Sequence, residues 1–212
     1  ITVNNTKRSS NKFKIAFANT EVREKNILDS MRGTPNLDSE RYDKLAKIVK
    51  KVRLDKSDVL LFPEFFIPIN LLSSLVKYAE RNQVLTIVGL EHIKIKNTVF
   101  NFIVTILPFE VDGVSDAVVV FRLKNHYAHI EESIIKGNHF KIAKPKEYRY
   151  DIFNWQNLYL SPYYCFELAN AWHRSLFKSK LDLLVGVEWN KDTNYFSNIV
   201  ESCSRDLHCY VA

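Results

Sequence analysis

The apolar residues of this chain form short segments whose spacing alternates between that of strands and that of helices. Phe13, Ile15 and Phe17 are separated by Lys14 and Ala16, which is the two-residue period of a strand. Stripes at helical spacing recur between such segments. The pattern predicts strands at 13–17, 59–62, 84–90, 99–107, 117–123, 158–166, 181–187 and 208–212. It predicts helices around 42–52 and 71–79, and at 167–177 and 195–205.

Strands that alternate with helices indicate an α/β layered domain. Asn36 or Asp38 can cap the first helix, because both side chains accept hydrogen bonds from the free amides at a helix start. Asp112-Gly113 is a hairpin turn signal between two predicted strands, so we expect the sheets to be mixed and not purely parallel. The segment 125–157 is polar and is predicted to be a loop.

At 212 residues, the chain is long enough for one sizeable domain and too short for two. Apolar residues make up 46% of it, which is typical of a globular protein with a core. No apolar run approaches the roughly 20 residues of a membrane span, and the start lacks the apolar core of a signal peptide. The chain has 3 cysteines, an odd and low number, so we expect the reducing cytoplasm and no disulfide framework.

The two ends of the chain support different expectations. Residues 1–11 are polar and are predicted to be a linker or mobile terminus, so we place the domain at 12–212. The chain starts with Ile1 and not Met, and it ends at Ala212 within a strand pattern. We therefore expect a piece of a longer protein, in which the C-terminal side is either truncated or a minimal variant of the domain.

Three reactive side chains, Glu64, Lys124 and Cys165, stand at the ends of predicted strands. A thiol is mostly protonated at neutral pH, so a nucleophilic cysteine needs a base or a nearby cation. A carboxylate can take the proton of the thiol, and an ammonium can stabilise the charge that develops on the substrate. The predicted turn from strand to helix beside Cys165 also offers helix amides to the thiolate.

Each of these residues has an ordinary structural explanation when it is considered alone. A lone cysteine is most often a buried core residue, and a lysine usually extends to solvent. A glutamate at a strand end is often a capping or surface residue. Because all three follow predicted strands, which can converge at one sheet end, we favour the catalytic interpretation.

The surrounding sequences resemble motifs of the nitrilase, or carbon–nitrogen hydrolase, superfamily. The run Phe-Pro-Glu-Phe at 62–65 is similar to its proline–glutamate signature. The run Arg-Leu-Lys-Asn-His at 122–126 is similar to its arginine–lysine–x–histidine block, with one residue inserted. The resemblance implies an α-β-β-α sandwich with mixed sheets. It also implies a thiol hydrolase that cleaves a small-molecule amide or nitrile through a Glu-Lys-Cys triad and a covalent acyl-enzyme, without a cofactor.

The resemblance covers roughly 12–212 and implies further site residues. Glu131 or Glu132 lies where many members have a second glutamate that orients the lysine, and the spacing does not choose between them. Phe166, after the nucleophile, and Trp189, after the next strand, are the other candidate substrate-binding residues. The chain departs from the family in lacking an arginine close after Cys165 and the elements that close the sandwich.

The resemblance also implies a homodimer, and two other functions stay open. One is a non-catalytic or regulatory nitrilase-like module fused to an upstream reverse transcriptase (RNA-directed DNA polymerase) in antiphage defence, since such domains occur there. The other is nucleic-acid binding by a chain of net charge +6. Phosphate contacts or base stacking would come from Arg8, Lys12, Lys136, Lys141, Lys144, Lys146, Tyr148 and Tyr150. These charges are scattered, so a solvated basic surface is the simpler explanation.

We expect no metal site in this chain. His126 and His129 lie three positions apart near Glu131, but this spacing in a predicted loop is unspecific. Cys203 and Cys209 are interpreted as core residues. With only 5 glycines, the chain has no glycine-rich phosphate loop.

Overall fold

The structure, a computed structural model, describes residues 1–3, 12–190 and 192–212. In chain order, its strands are β1 (Thr2–Val3), β2 (Ile15–Phe17), β3 (Val59–Leu61), β4 (Leu85–Gly89), β5 (Ile93–Ile95), β6 (Thr98–Phe100), β7 (Phe102–Val111), β8 (Val114–Leu123), β9 (Lys141–Ile142), β10 (Phe153–Trp155), β11 (Leu158–Tyr164), β12 (Leu183–Val187) and β13 (Tyr210–Val211). Its helices are α1 (Glu24–Arg32), α2 (Ser39–Leu54), α3 (Ile69–Asn82), α4 (His129–Gly137), α5 (Cys165–Ala169), α6 (Ala171–Ser175) and α7 (Thr193–Leu207).

Two five-stranded sheets pack face to face in the middle of the molecule. The first has the order β2-β3-β4-β7-β8, and the second has the order β1-β10-β11-β12-β13. Both contain parallel and antiparallel neighbours: β3 and β4 are parallel whereas β7 and β8 are antiparallel, and β11 is parallel to β12 but antiparallel to β10. Side chains of both sheets, such as Ile87, Trp155 and Val185, form the apolar core between them.

Helices cover the outer face of each sheet. Leu45 of α2 and Leu75 of α3 belong to the apolar cluster on the first sheet. Leu168 of α5 and Ile199 of α7 belong to the cluster on the second sheet. The layers are therefore helix, sheet, sheet and helix, which confirms the α-β-β-α sandwich with mixed sheets. None of the described helices is long and apolar enough to cross a membrane.

The strands of the first sheet have the burial that their sequences predict. Every residue of β3 and β4 is buried, as expected for continuously apolar strands covered on both faces. The hairpin of β7 and β8 turns at Asp112 and Gly113, whose φ angles are 52° and 81°. Both central residues of this two-residue turn therefore have positive φ, as the Asp-Gly signal predicts.

Two helices lie where the hydrophobic pattern does not predict them. α4 occupies part of the polar segment 125–157, so the prediction of a loop there is wrong. Its apolar residues, Ile130, Ile134 and Ile135, form only a short stripe within a polar segment, and Ile135 is the one residue of α4 that is buried. α1 is short and buries only Ile27, Ser30 and Met31, one of which is polar.

The helix predicted at 167–177 is instead two short helices, α5 and α6. α5 begins at Cys165, and Asn170, which follows it, has an extended backbone with φ −83° and ψ 107°. The side chain of Asn170 accepts a hydrogen bond from the N–H of His173 and caps α6. Because an extended residue cannot continue a helix, the chain changes direction between the two.

The linker predicted at 1–11 falls mostly on 4–11, which lie outside the described residues. Its first residues are not a linker, because Thr2–Val3 forms β1 and pairs in parallel with β10. The carbonyl of Ile1 accepts a hydrogen bond of 2.8 Å from the N–H of Asn154. Alternating side chains of such a pair point to opposite faces, and Val3 accordingly enters the core between the sheets.

Gly89, at the end of β4, allows the two sheets to approach each other. A Cβ atom at this position would lie 2.7 Å from the Cα of Glu64 and 2.9 Å from a methyl carbon of Val187. Val187 belongs to β12 of the second sheet, so only a residue without a side chain fits here without displacing its neighbours. The close contact is located where Glu64 enters the candidate site.

Candidate active site

Glu64, Lys124 and Cys165 lie just beyond the ends of three strands. Glu64 comes shortly after β3, Lys124 directly after β8 and Cys165 directly after β11. β3 and β8 belong to the first sheet and β11 to the second, so the ends of both sheets contribute to one site. The N–H of Glu64 donates to the carbonyl of Glu188, which follows β12 of the second sheet, at 3.2 Å.

Lys124 is a buried ammonium between two carboxylates. Its Nζ donates to Oε1 of Glu64 at 2.7 Å and to Oε2 of Glu131 at 2.5 Å. Its residual exposure is only 2%, and the rings of Tyr127 and Tyr164 lie 5.2 and 5.0 Å from Nζ. Such a buried cation needs charged partners. This burial excludes the alternative explanation that Lys124 is a lysine extending to solvent.

A chain of hydrogen bonds connects Glu64 to the residue that precedes Cys165. The side-chain amide of Asn101 donates to Oε1 of Glu64 at 2.9 Å. The hydroxyl of Tyr164 donates to Oδ1 of Asn101 at 2.6 Å. The side chains of Glu64, Asn101 and Tyr164 are buried. The hydrogen bonds between them fix the rotamer of Glu64 relative to the start of α5.

The structure separates the two candidate second glutamates. Glu131 reaches Lys124, and its Oε1 also lies 3.6 Å from Nε2 of the buried His92. Glu132, the next residue of α4, points elsewhere and accepts from the ammonium groups of Lys136 and Lys144 at 2.9 and 2.6 Å. Adjacent residues of a helix point about 100° apart, so only one of them can face the site.

The two carboxylates that share Lys124 differ in acidity. Burial raises the pKa of Glu64 to about 7. The charge of Lys124 lowers this pKa, whereas the charge of Glu131 raises it. Burial also opposes ionisation of Glu131, but the charge of Lys124 and the nearby imidazole of His92 outweigh it and lower the pKa of Glu131 to about 2. Both carboxylates share the ammonium of Lys124, and Glu64 therefore holds a proton more readily than Glu131.

Cys165 is a free, half-buried thiol at the first position of α5. Burial raises the pKa of this thiol well above its usual range, and the charges of Glu64 and Glu188 raise it further, whereas Lys124 lowers it. These charges place the thiol within electrostatic reach of the other two residues. The thiol is therefore protonated at rest and needs a base at the moment of attack.

A buried ion pair joins the end of β8 to the start of α5. Glu167 accepts hydrogen bonds from both terminal nitrogens of Arg122, at 2.9 and 2.8 Å. It also accepts from the N–H of Asn125 at 2.7 Å and from the N–H of Tyr164 at 2.9 Å. Asn125 follows Lys124 and Tyr164 precedes Cys165. One carboxylate therefore sets the spacing between the proposed ammonium and the proposed nucleophile.

The two aromatic candidates lie on different sides of the site. Trp189 packs edge-to-face on Phe65 at 5.9 Å, and Phe65 stacks on His92 at 4.8 Å. Phe65 has a positive φ of 59°, a conformation that L residues rarely adopt. Phe166 is 36% exposed and contacts the ring of His129 at 6.2 Å, so it lies at the rim toward α4.

The histidines considered as metal ligands are occupied otherwise. His126 stacks on His173 at 4.4 Å and lies 4.5 Å from the ring of Tyr148. His129 faces Phe166. In the parts of the chain that the structure describes, no group of three or more His, Cys, Asp or Glu side chains is placed to hold a metal ion.

Sequence reasoning missed several residues around the proposed triad. His92 and Glu188 carry no spacing signal because neither belongs to a motif, and the sequence does not distinguish Tyr164 from the adjacent Tyr163. Arg122 and Glu167 were visible only as departures from the family motifs. Their pairing spans 45 residues of sequence and depends on two sheets meeting, which local pattern does not encode.

No protein-family model and no curated protein matches the sequence. The comparison with solved structures supports the fold. An amidase from Nesterenkonia sp. is similar in structure, with a TM-score of 0.65 and 12% identity over 94% of this chain and 74% of the amidase. A carbon–nitrogen hydrolase superfamily protein from Xanthomonas campestris, with an arsenic adduct in its active site, has a TM-score of 0.58 and 15% identity over 82% of this chain and 68% of that protein.

A variant of the Nesterenkonia amidase carries acrylamide added to its active-site cysteine. Its TM-score is 0.61 at 12% identity, over 82% of this chain and 70% of that one. At identities this low, the similarity establishes the fold. The chain therefore has the fold of nitrilase-superfamily proteins, and its chemistry must be argued from its own residues.

Proposed function

We propose that this chain is a thiol hydrolase of non-peptide carbon–nitrogen bonds, acting on small amides or nitriles. The supporting observation is the buried ammonium of Lys124 between Glu64 and Glu131, at the sheet end where β11 leads into Cys165. The fold is shared with amidases that have an active-site cysteine. No metal or cofactor takes part in the proposed reaction.

In this proposal, Glu64 takes the proton of the Cys165 thiol as the sulfur attacks the carbonyl carbon. The carbon–oxygen double bond opens to an oxyanion, which the ammonium of Lys124 stabilises. Glu64 then returns the proton to the leaving nitrogen, the carbon–nitrogen bond breaks and a thioester remains. Water activated by Glu64 adds to the thioester, and the carboxylic acid and free thiol are released. Glu131 keeps Lys124 oriented throughout.

The test measures ammonia release from acetamide, propionamide and butyramide. Cys165→Ala should lose activity by about 10⁴-fold or more, because no other described side chain replaces the sulfur. Cys209→Ala is the matched control: it removes a thiol from the core behind α7 and should retain activity. An active Cys165→Ala variant would refute the assignment of Cys165 as the nucleophile.

A non-catalytic module is the second candidate. It is favoured by the closure of the site, since Glu64 and Lys124 are each 2% exposed and the thiol has a raised pKa. Labelling with iodoacetamide separates the two, because a hydrolase must admit a small amide to Cys165. Protection of Cys165 from this reagent in the native protein would favour the module. The homodimer, the cytoplasmic location and the upstream polymerase stay predictions.

A further inference from the structure

Glu188 is a third carboxyl group beside the proposed nucleophile, and the mechanism above does not use it. It follows β12 directly, and its carbonyl accepts the hydrogen bond from the N–H of Glu64. Its Oε1 lies 3.1 Å from where a Cβ of Gly186 would stand, and the side chain of Leu168 of α5 borders the same space. The carboxyl group therefore lies between the strand end and the helix that begins with Cys165.

The described residues provide no charged or hydrogen-bonding partner for the Glu188 carboxyl. Burial raises its pKa to about 7, and no cation among the described residues offsets this. By contrast, the buried Glu91 pairs with Arg41 at 2.5 Å, and the buried Glu167 pairs with Arg122. A half-buried carboxylate that lacks a partner among residues 1–3, 12–190 and 192–212 is unfavourable for folding, and its position beside a reactive thiol suits the binding of a ligand.

The charges around Cys165 do not balance. Glu64, Glu188 and Glu131 raise the pKa of the thiol, whereas Lys124, which lowers it, is already shared by Glu64 and Glu131. Glu188 adds further negative charge to this environment. Such a site repels an anionic substrate and attracts a cationic one, and the attraction is strong where water is excluded.

Resting on the function proposed above, we infer that Glu188 determines specificity by pairing with a cationic group, an ammonium or guanidinium, carried by the substrate near its scissile carbonyl. The substrate class is thus a small cationic amide. Glu188 takes no part in bond breaking in this inference. Its substitution should change the preference between cationic and neutral amides, whereas its effect on the acidity of the Cys165 thiol acts on both substrates and cancels in that preference.

The first test compares β-alaninamide with butyramide, which have the same chain length and differ in an ammonium against a methyl group. The wild-type chain should prefer β-alaninamide in kcat/KM, and Glu188→Gln should reduce that preference, the ratio of the two kcat/KM values, about tenfold through the KM of β-alaninamide. Glu201→Gln removes the same charge from the exposed face of α7 and should leave the preference unchanged. An unaltered preference in Glu188→Gln would overturn the inference and leave the hydrolase proposal intact.

The second test does not require turnover. It measures the rate at which Cys165 reacts with 2-bromoethylamine, a cation, and with iodoacetamide, which is neutral. Each rate is divided by the rate of the same reagent with free cysteine, and the ratio of the cationic to the neutral value is compared between proteins. Glu188→Gln should lower the ratio of the two about tenfold, and Glu201→Gln should not. An equal ratio in all three proteins would refute the role of Glu188, whereas failure of both reagents to label Cys165 would refute the proposed nucleophile as well.

Discussion

Lys124 illustrates how a single residue determines the properties of its neighbours. It satisfies two carboxylates, yet the more deeply buried Glu64 keeps a pKa of about 7 while Glu131 remains ionised. The thiol of Cys165 has a raised pKa and is therefore protonated at neutral pH. The reactive form of the proposed site pairs an ionised Glu64 with a neutral thiol.

This difference gives the pH profile a defined sign. Below pH 7, Glu64 is protonated and cannot act as a base, so kcat/KM should rise with pH through an apparent pKa of about 7. Glu131→Gln removes a negative charge that raises the pKa of Glu64, so the rise should move to lower pH. Kinetics of butyramide hydrolysis between pH 5 and 9 check both outcomes, and an upward shift in the variant would contradict the shared-cation interpretation.

Glu64→Gln should reduce kcat/KM by about 10²–10⁴-fold, since the amide cannot accept the proton of the thiol. Its fold should be retained because Gln still accepts from Lys124 and Asn101. Circular dichroism and thermal unfolding provide the control. Wild-type turnover in a folded Glu64→Gln variant would exclude this residue as the base.

At the scale of elements, β8 and α5 are held together by the ion pair of Arg122 and Glu167. Removing either partner leaves a buried charge without compensation, which is more damaging than removing both. Arg122→Met and Glu167→Gln should each lower the free energy of unfolding by about 3–5 kcal/mol. The double variant should lose less than the sum, and urea unfolding curves measure all three.

Exchanging the two residues should not restore stability. In the reversed pair, an arginine at position 167 cannot accept from the N–H groups of Tyr164 and Asn125, because a guanidinium has no acceptor. If the reversed pair were as stable as the wild type, the backbone contacts of Glu167 would be unimportant, and Glu167 would not set the spacing between Lys124 and Cys165.

The elements that the sequence predicts well are those with a clear period. β3 is continuously apolar and α2 begins after Asp38, whose side chain accepts from the N–H of Arg41, as the capping signal suggests. α4 was not predictable in the same way, since Ile135 is its only buried residue. The choice between Glu131 and Glu132 depends on the phase of that helix and was therefore open. The triad could be predicted from the resemblance to a known family. Glu188 could not be predicted, because its position beside Glu64 depends on the contact between the two sheets.

At the scale of the whole molecule, the two sheets approach each other at Gly89. Gly89→Ala places a methyl group against the Cα of Glu64 and the side chain of Val187. We expect a loss of about 1–3 kcal/mol in stability and, because Glu64 is displaced, a loss of about 10²-fold in kcat/KM.

Gly137→Ala is the matched control, because nothing lies within 4 Å of the added methyl group. It should leave activity unchanged and stabilise the end of α4 slightly. Thermal unfolding and butyramide kinetics on both variants provide the comparison. Equal behaviour of the two would show that the sheets can separate at Gly89 without affecting the site.

The nucleic-acid hypothesis also belongs to the whole molecule and stays a prediction. Lys136 and Lys144 bind Glu132, and Tyr150 stacks on Tyr163 at 4.7 Å, so these residues have partners within the chain. Tyr148 remains 59% exposed, while Arg8 lies outside the described residues. A salt titration with single-stranded DNA tests the hypothesis, and the absence of binding at low salt would remove it.

The pairing of Arg122 with Glu167 also restricts how this sequence can evolve. Replacing one of the two residues first produces an ancestor with an unpaired charge in its interior. Reversing the pair does not restore stability, because the N–H groups of Asn125 and Tyr164 both donate to the carboxylate of Glu167. Natural variants of this chain should therefore alter both positions together or neither, even where the catalytic residues themselves have been lost.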